Sequence, residues 1–185
     1  MKRFLTALAL ATALTPAAHA AVFTQVLPDK SSIEFSYSQM GVPMDGRFRK
    51  FSSQLSFDPA QPATAKVAID VDLASIDTGT PELDTEAAGK DWFNLKSFPT
   101  ARFVATSVKP LGGNRYSVAG KLTVKGRSKD VVVPATFTPQ GTTGVFAGQF
   151  TIRRGDFAIG EGAWSAFDIV ANDVIVKFRV TASGK

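Results

Sequence analysis

The sequence predicts an all-β protein, an eight-stranded antiparallel barrel with one short helix capping an end. Three observations lead to this prediction. Apolar and polar residues alternate with a period of two over most of the chain after residue 20, which is typical of half-buried strands. Short turns rich in glycine and proline separate the alternating segments, as in antiparallel meanders. One stretch, residues 75–103, interrupts the alternation and favours a helix.

Residues 1–20 have the composition of a secretory signal peptide. Lys2 and Arg3 give a positive start, an apolar run follows, and the sequence AHA at 18–20 is a small-residue cleavage site. The apolar run is too short for a stable membrane span. We therefore expect residues 21–185 to form a single domain that is exported to the periplasm without stable membrane insertion.

Eight segments of the exported part show the alternation of strands. They are residues 33–37, 44–58, 67–73, 101–108, 116–124, 131–137, 146–152 and 174–180. Between Phe48 and Phe51 the phase slips, which predicts a bulge within one long strand. The sequence LGGN at 111–114 predicts a hairpin turn. Eight strands at hairpin spacing can close into a barrel that is filled by side chains or holds one small ligand.

The helix is predicted between Thr80 and Gly89. Thr80 is a plausible N-cap, Pro81 suits the first helical position, and Gly89 weakens the helix where it should end. Large apolar residues follow it, namely Trp92, Phe93, Leu95 and Phe98. Two interpretations stay open: the helix and these residues plug one end of the barrel, or they also wall a ligand cavity.

The composition excludes several kinds of chemistry. The chain has no cysteine, and its one histidine, His19, lies in the predicted signal peptide. Thiol nucleophiles, disulfides, Ser-His-Asp systems and histidine metal sites are therefore not expected in the exported domain. The net charge of +5 falls by two without Lys2 and Arg3, and the basic residues are scattered. Nucleic acid is consequently not an expected partner, and no metal is predicted.

The fifteen phenylalanines are numerous for this length and lie mostly on the in-phase strand faces. They predict either a solid aromatic core or a ring-lined cavity suited to a long apolar guest. Gly120, Ala135 and Gly148 are interleaved with them and leave room that larger side chains would fill. The sequence leaves both possibilities open.

Some charged residues could serve an enzyme, but each has a simpler interpretation. Asp70 and Asp72 share one strand face and could act as a glycosidase pair. Lys66 lies on the same face, which favours a solvated surface. Lys90 beside Asp91 could be a catalytic lysine, although a charge pair at a helix end is the simpler interpretation.

Two groups of basic residues are candidate contacts for a polar head group. Arg154 and Asp156, with Arg153, follow a strand and could bind such a group, or could form an ion pair at the strand end. Arg47 and Arg49 flank Phe48 and could lie at a barrel mouth or on the outer surface.

An outer-membrane barrel would show the same alternation, but three features count against it. There are only two tyrosines and two tryptophans, too few for two aromatic girdles. The polar strand faces carry charges freely, more than a narrow lumen would pair. Residues 181–185 form a polar tail, which we expect to lie outside the last strand.

Several motifs, in their order and spacing, resemble the YceI-like family. They are SIEF at 32–35, GRFRKF at 46–51, FDP at 57–59, SIDT at 75–78, WFN at 92–94, FPTARF at 98–103, GKLTVKG at 120–126 and RGDF at 154–157. The resemblance covers about residues 23–181, whereas the loop at 160–166 matches no pattern. The family comprises exported lipid- and polyisoprenoid-binding proteins with a lipocalin-like barrel. The resemblance therefore implies a long isoprenoid or similar lipid inside the barrel, and it carries over no acid, base or nucleophile.

The predicted ligand-binding residues follow from the alternation within this fold. The wall is predicted to comprise Phe35, Tyr37, Phe48, Phe51, Phe103, Phe150 and Ile152, and the lid Trp92, Phe93 and Phe98. A phase error of one residue would invert the list for a strand. Arg47, Arg154 and Asp156 are the candidate head-group contacts.

The predicted function is non-enzymatic binding and transport of an isoprenoid, such as a quinone or a polyprenyl lipid, with no cofactor besides this ligand. A second hypothesis is a stress-response protein that sequesters diverse hydrophobic compounds. A third is an enzyme that uses carboxylates or a lysine, such as Asp156 or Lys90. A barrel mouth lined with aromatic rings would allow a mouth-to-mouth homodimer, although nothing in the sequence requires one.

Overall fold

A computed structural model describes residues 21–184, and the predicted signal peptide at 1–20 lies outside the described residues. Eleven strands and one α-helix form within 21–184. They are β1 (Phe23–Val26), β2 (Ser32–Gln39), β3 (Val42–Phe48), β4 (Phe51–Ser56), β5 (Lys66–Asp72), β6 (Ile76–Asp77), α1 (Pro81–Ala88), β7 (Thr100–Gly112), β8 (Arg115–Val124), β9 (Arg127–Gln140), β10 (Thr143–Arg153) and β11 (Asp173–Gly184).

All strands belong to one antiparallel sheet that curls into a half-barrel. Its order is β4-β5-β7-β8-β9-β10-β11-β2-β3-β6, and β1 pairs with the end of β11. Phe23 of β1 also exchanges two backbone hydrogen bonds, of 2.9 and 3.0 Å, with Phe57 just after β4. These bonds bring the β4 edge towards β11 at one end, which we name the lower end. Helix α1 lies at the opposite, upper end.

The predicted strand number is wrong, because the sheet has eleven strands rather than eight. The phase slip between Phe48 and Phe51 is a break between β3 and β4, not a bulge. β3 pairs with β2 and β6, whereas β4 pairs with β5. The other two additional strands, β1 and β6, have four and two residues, too few to show an alternation.

The predicted polar tail is also wrong for residues 181–184, which belong to β11. Ala182 pairs with Gly144 of β10 and with Val26 of β1. The Thr181 hydroxyl donates to the Lys30 carbonyl at 2.7 Å. Polar side chains therefore take part in a paired, buried strand end because their hydrogen bonds are satisfied there.

The predicted helix is confirmed as α1, between Thr80 and Gly89. The Thr80 side chain makes no capping hydrogen bond. Instead the Asp84 carboxylate accepts from the backbone N–H and the hydroxyl of Thr78, at 2.8 and 2.7 Å. This carboxylate ties the first turn of α1 to the segment after β6. No helix within residues 21–184 has both the length and the apolar character needed to cross a membrane.

The hairpin predicted at 111–114 is confirmed between β7 and β8. Gly113 and Asn114 both have positive φ angles, of 59° and 60°. Two-residue hairpin turns of the primed kind need such angles, which glycine and asparagine adopt at little cost. This turn joins β7 to β8 and sets their register.

The lower end of the half-barrel is solid and aromatic. Phe57 lies 5.0 Å, between ring centroids, from both Phe137 and Phe146, and 5.3 Å from Tyr116. Phe23 completes the cluster at 4.9 Å from Phe137. Most of these rings meet edge to face or tilted, the arrangements that the ring quadrupole favours. The solid-core interpretation of the phenylalanines therefore applies to this end of the molecule.

Asp77 of β6 joins two arginines at the upper edge of the sheet. Its Oδ2 accepts from Arg47 Nε at 2.8 Å and from an Arg49 terminal nitrogen at 2.9 Å. Hydrogen bonds from Arg49 and Arg47 lower the pKa of the Asp77 carboxyl. The carboxylate thus holds the short strand β6 against β3, where only two residue pairs connect the strands.

We expect the lowered pKa of Asp77 to make this attachment sensitive to acid. A carboxyl with a lowered folded-state pKa stabilises the protein above its unfolded pKa, and this stabilisation is lost as the pH falls through the folded pKa. Asp77→Asn should therefore lower the melting temperature at pH 7. The two melting temperatures should converge as the pH falls through the lowered pKa of Asp77.

The matched control is Asp130→Asn, which removes the exposed partner of Lys121. Exposed pairs contribute little, so this variant should melt like the wild type at each pH. A difference between Asp77→Asn and the wild type that stays constant down to the most acidic pH at which both proteins fold would contradict the prediction.

Candidate functional site

An apolar cavity in two adjoining sections lies between α1 and the aromatic cluster of the lower end. The upper section has a volume of ≈ 190 Å³ and the lower section ≈ 170 Å³. Six residues line both sections: Ile33, Val71, Ala101, Leu122, Phe150 and Val176. Because the sections share this ring of side chains, they form one elongated site.

Helix α1 and the segment after it cover the upper section. Leu83 and Ala87 of α1 line it, followed by Trp92 and Phe93. Ala87 is spaced four residues from Leu83, so both lie on the same helix face. The helix therefore does more than plug the end of the sheet, because it supplies part of the cavity wall.

The cover is joined to the loop between β10 and β11. Trp164 of this loop donates from its indole N–H to Glu86 Oε1 of α1 at 2.7 Å. The Trp92 and Trp164 ring centroids are 5.7 Å apart, and both residues line the upper section. The loop also donates two backbone hydrogen bonds, from the N–H groups of Gly160 and Glu161 to the Asp91 carbonyl, each of 2.8 Å. Two segments that are distant in sequence thus meet above the cavity through side-chain and backbone hydrogen bonds and one ring contact.

Arg154 lies at the start of the same loop, and its buried side chain forms hydrogen bonds with the loop backbone. Its side chain is 1% exposed, and its guanidinium donates to backbone carbonyls at 2.7–3.3 Å. The acceptors are Ile159, Gly160, Trp164, Ala166, Val170 and Ala171. Burial lowers the pKa of Arg154, but a guanidinium remains protonated. The five N–H groups of arginine suit such a set of acceptors, so this residue sets the loop conformation.

Lys125 attaches the loop to the turn between β8 and β9. Its Nζ donates to the Ala158 carbonyl at 2.6 Å and to Glu161 Oε2 at 3.0 Å. The hydrogen bond and the charge of Lys125 lower the pKa of the Glu161 carboxyl. Arg154 and Lys125 thus hold the loop in addition to its contacts with α1 and the segment after α1.

Glycines let several rings lie against the sheet instead of filling the cavity. A Cβ atom at each of these glycines would meet the ring of a phenylalanine: Gly46 faces Phe35, Gly120 faces Phe103, and Gly148 faces Phe178. Each ring occupies the space that a side chain would take, as in aromatic–glycine pairs of other sheets. A sheet rich in phenylalanine can therefore still enclose an empty volume.

The structure places eight of the predicted contact residues around the upper section. They are Phe35, Tyr37, Phe48, Trp92, Phe93, Phe150, Ile152 and Arg154. Phe103 lines the lower section, which Phe150 also borders. Arg154 is placed there with its guanidinium already bound to backbone carbonyls. Whether these residues contact a ligand stays a prediction.

Four other predicted residues lie outside both sections. Phe51 is half-buried at the start of β4, and Phe98 packs on Gly126 at the turn between β8 and β9. Arg47 is on the outer surface with Asp77, and Asp156 is exposed. The alternation could place a side chain on a face, but it could not tell how far along the strand the cavity extends.

Aliphatic residues and loop residues complete the lining, and the prediction missed them. Ile33, Leu122 and Val176 lie on in-phase strand faces, so the alternation could have found them. Ile159 and Val170 belong to the loop between β10 and β11, where no periodicity exists to signal a direction.

The polar groups of the upper section are few. Burial raises the pKa of the Tyr37 hydroxyl, which keeps it protonated at neutral pH. Thr78 donates to Asp84, and Glu86 accepts from Trp164. Within residues 21–184 no group of three or more His, Cys, Asp or Glu side chains could hold a metal ion. The arrangement suits enclosure of an apolar molecule through contact area.

A curled antiparallel sheet with one covered apolar cavity defines a class of small β-barrel proteins whose interior can hold a single ligand. Within this class, the model of a family described as the YceI-like domain matches residues 25–182. The chain therefore belongs to the YceI-like family.

Relatives and solved structures agree with this assignment. A UPF0312 protein of Pseudomonas syringae pv. tomato is 32% identical over 169 residues, with 86% of this chain and 88% of the relative covered. The crystal structure of Burkholderia cenocepacia BcnA is 42% identical, with a TM-score of 0.84 and coverage of 86% of this chain and 100% of that chain. A polyisoprenoid binding domain from Saccharophagus degradans has a TM-score of 0.71 at 15% identity, over 89% and 99% of the two chains.

Proposed function

We propose that this protein is a non-enzymatic carrier of an isoprenoid molecule, such as a quinone or a polyprenyl lipid, in the periplasm. One observation supports it above the others: a member of the YceI-like family encloses an elongated cavity with an almost wholly apolar lining. The two sections lie in series and share a ring of aliphatic and aromatic side chains. Such a shape suits a chain better than a compact molecule.

Burial of apolar surface would supply the affinity. Each methylene group moved from water to an apolar site contributes about 0.8 kcal/mol. Several isoprene units could then offset the loss of translational and rotational freedom on binding. Few polar groups compete, because Arg154 and Thr78 already donate to protein acceptors.

The isoprenoid character of the ligand rests on the family and on a named relative. The Saccharophagus degradans domain of the same fold is described as polyisoprenoid-binding. Branched prenyl chains are also compatible with a lining that mixes phenylalanine rings and branched aliphatic side chains, such as Phe150, Val176 and Ile33.

The periplasmic location rests on the sequence of residues 1–20, with its basic start, apolar run and small-residue cleavage site. An exported, free carrier would keep a water-insoluble molecule out of contact with water between two membranes. The absence of cysteine from the chain makes folding independent of the redox state of that compartment.

The test is native mass spectrometry of protein purified from its own periplasm, followed by organic extraction of whatever is bound. One stoichiometric isoprenoid per chain would support the proposal and identify the ligand. Empty protein that also fails to take up added quinones and polyprenols would contradict it. Equal binding of chemically unlike hydrophobic compounds would support sequestration instead.

The bond between Glu86 and Trp164 predicts an effect on ligand release. Glu86→Ala removes the acceptor that joins α1 to the loop above the cavity, so the cover should open more often. Because the pair is exposed, its hydrogen bond should contribute less free energy than a buried bond to a charged group. We therefore expect ligand release to become about threefold faster. Stopped-flow displacement of a fluorescent prenyl probe measures this rate.

Glu82→Ala is the matched control for this experiment. Glu82 lies one turn earlier on the same helix and is exposed, so its removal should leave the release rate unchanged. Equal rates for Glu86→Ala and the wild type would show that the bond does not hold the cover closed.

A further inference from the structure

The indole N–H of Trp92 is buried and has no hydrogen-bond partner. Among the side chains of residues 21–184, its Nε1 is the only buried nitrogen or oxygen atom in this condition. Folded proteins pair nearly all their buried polar groups, because an unpaired donor loses its hydrogen bonds to water without replacement. A single exception at the border of a cavity points to a partner that enters the cavity.

The other tryptophan above the cavity, Trp164, has a hydrogen-bond acceptor for its indole N–H. Trp164 lies next to Trp92, and its N–H donates to Glu86 at 2.7 Å. A phenylalanine at position 92 would supply apolar contact without an unpaired donor. The indole at this position therefore offers a hydrogen bond that no described side chain accepts.

The surroundings limit what can accept it. Trp92 lines the upper section, where the Arg154 guanidinium can only donate and Glu86 Oε1 already accepts from Trp164. Tyr37, Gln39 and Thr78 also line this section, but none of them accepts from the Trp92 N–H. An acceptor atom on a molecule held in the upper section is thus the available partner of the Trp92 N–H.

We propose that Trp92 donates a hydrogen bond to an oxygen atom at one end of the bound lipophilic molecule, and thereby selects ligands that carry such an oxygen. The oxygen is that of a carbonyl, hydroxyl or ether group. The apolar chain of the ligand then extends past the shared ring at Phe150 and Leu122 into the lower section. This inference rests on the proposed function and narrows its ligand class to chains with one polar, acceptor-bearing end.

The test measures the dissociation constants of two ligands for the wild type and for Trp92→Phe. One ligand is a prenyl ketone, and the other is the hydrocarbon of the same length, in which a methylene replaces the carbonyl. The ratio of their dissociation constants in the wild type is compared with the ratio in Trp92→Phe, so that differences in hydrophobicity cancel. We expect the preference for the ketone to fall about tenfold in Trp92→Phe, the contribution of one buried hydrogen bond.

Trp164→Phe is the matched control. It removes an indole N–H whose acceptor is Glu86, so both ligands should be affected alike and their ratio should be kept. If Trp92→Phe also leaves the ratio unchanged while both ligands bind, the inference is overturned and the carrier function stands. If neither ligand binds the wild type, the carrier function itself fails.

A second measurement, an NMR titration of the wild type, does not depend on ligand binding by Trp92→Phe. The chain has two tryptophans, and Trp164→Phe assigns their two indole ¹⁵N–¹H resonances. Addition of the ketone should move the Trp92 proton resonance downfield, while the hydrocarbon should not. Equal shifts with both ligands would overturn the inference.

Discussion

Replacing Arg154 by methionine is expected to lower the free energy of unfolding by about 3 kcal/mol or more, since it leaves several backbone carbonyls of a buried loop without a donor. The guanidinium is 1% exposed and donates to six carbonyls between Ile159 and Ala171. Methionine fills a similar volume but donates nothing. The melting temperature should fall by roughly 6–12 °C, and proteolysis should become faster within the loop.

The neighbouring residue supplies the control. The side chain of Arg153 is 70% exposed and lies 4.0 Å from Asp173, so Arg153→Met should change the free energy of unfolding by no more than about 0.5 kcal/mol. Arg154→Lys should restore only part of the loss, because an ammonium has three donors on a single nitrogen. Equal stabilities for Arg153→Met and Arg154→Met would show that the loop does not depend on this network.

Val176→Trp is expected to weaken binding of a long prenyl ligand about a hundredfold. Val176 lies on β11 between Phe150 and Phe35, is half-buried and lines both cavity sections. An indole there would close the passage between the sections. Losing contact with roughly four methylene groups removes about 3 kcal/mol of binding free energy. Fluorescence titration with a prenyl probe measures the dissociation constant.

Ile175→Trp is the control, because Ile175 is the next residue, points to the outer face and is 37% exposed. It adds the same side chain outside the cavity and should leave the dissociation constant unchanged. Both variants should keep the cooperative unfolding of the wild type. Unchanged affinity in a folded Val176→Trp protein would mean that the ligand does not pass this point.

Local patterns predicted much of the sheet because the polarity of each strand residue indicates whether it lies on the buried or the exposed face. Tyr116, Val118 and Leu122 alternate with polar neighbours, and β8 forms where they lie. The same rule failed between Phe48 and Phe51, where a bulge and a strand break give the same phase slip. Only the partners of the two halves distinguish these cases, since β3 joins β2 and β4 joins β5.

The candidate cavity was predicted in part for the same reason. Phe35, Phe48 and Phe150 share inward faces with their strands, and the structure places all three in the lining. Phe51 and Phe98 lie outside it, because the alternation does not indicate where along a strand the empty volume ends. The emphasis on aromatic residues, with Ile152 as the one aliphatic residue chosen, also left out Ile33 and Val176, which line both sections.

The sequence by itself determined the all-β class, the helix between Thr80 and Gly89 and the resemblance to the YceI-like family, because alternation, capping residues and motif order are properties of neighbouring residues. Only the tertiary structure decided the strand number, the role of Arg154 and the cover of the cavity. Glu86 and Trp164 are 78 residues apart, and nothing near either residue in the chain indicates the other. Such contacts arise when the curled sheet brings α1 and the loop to the same end of the half-barrel, which no local pattern encodes.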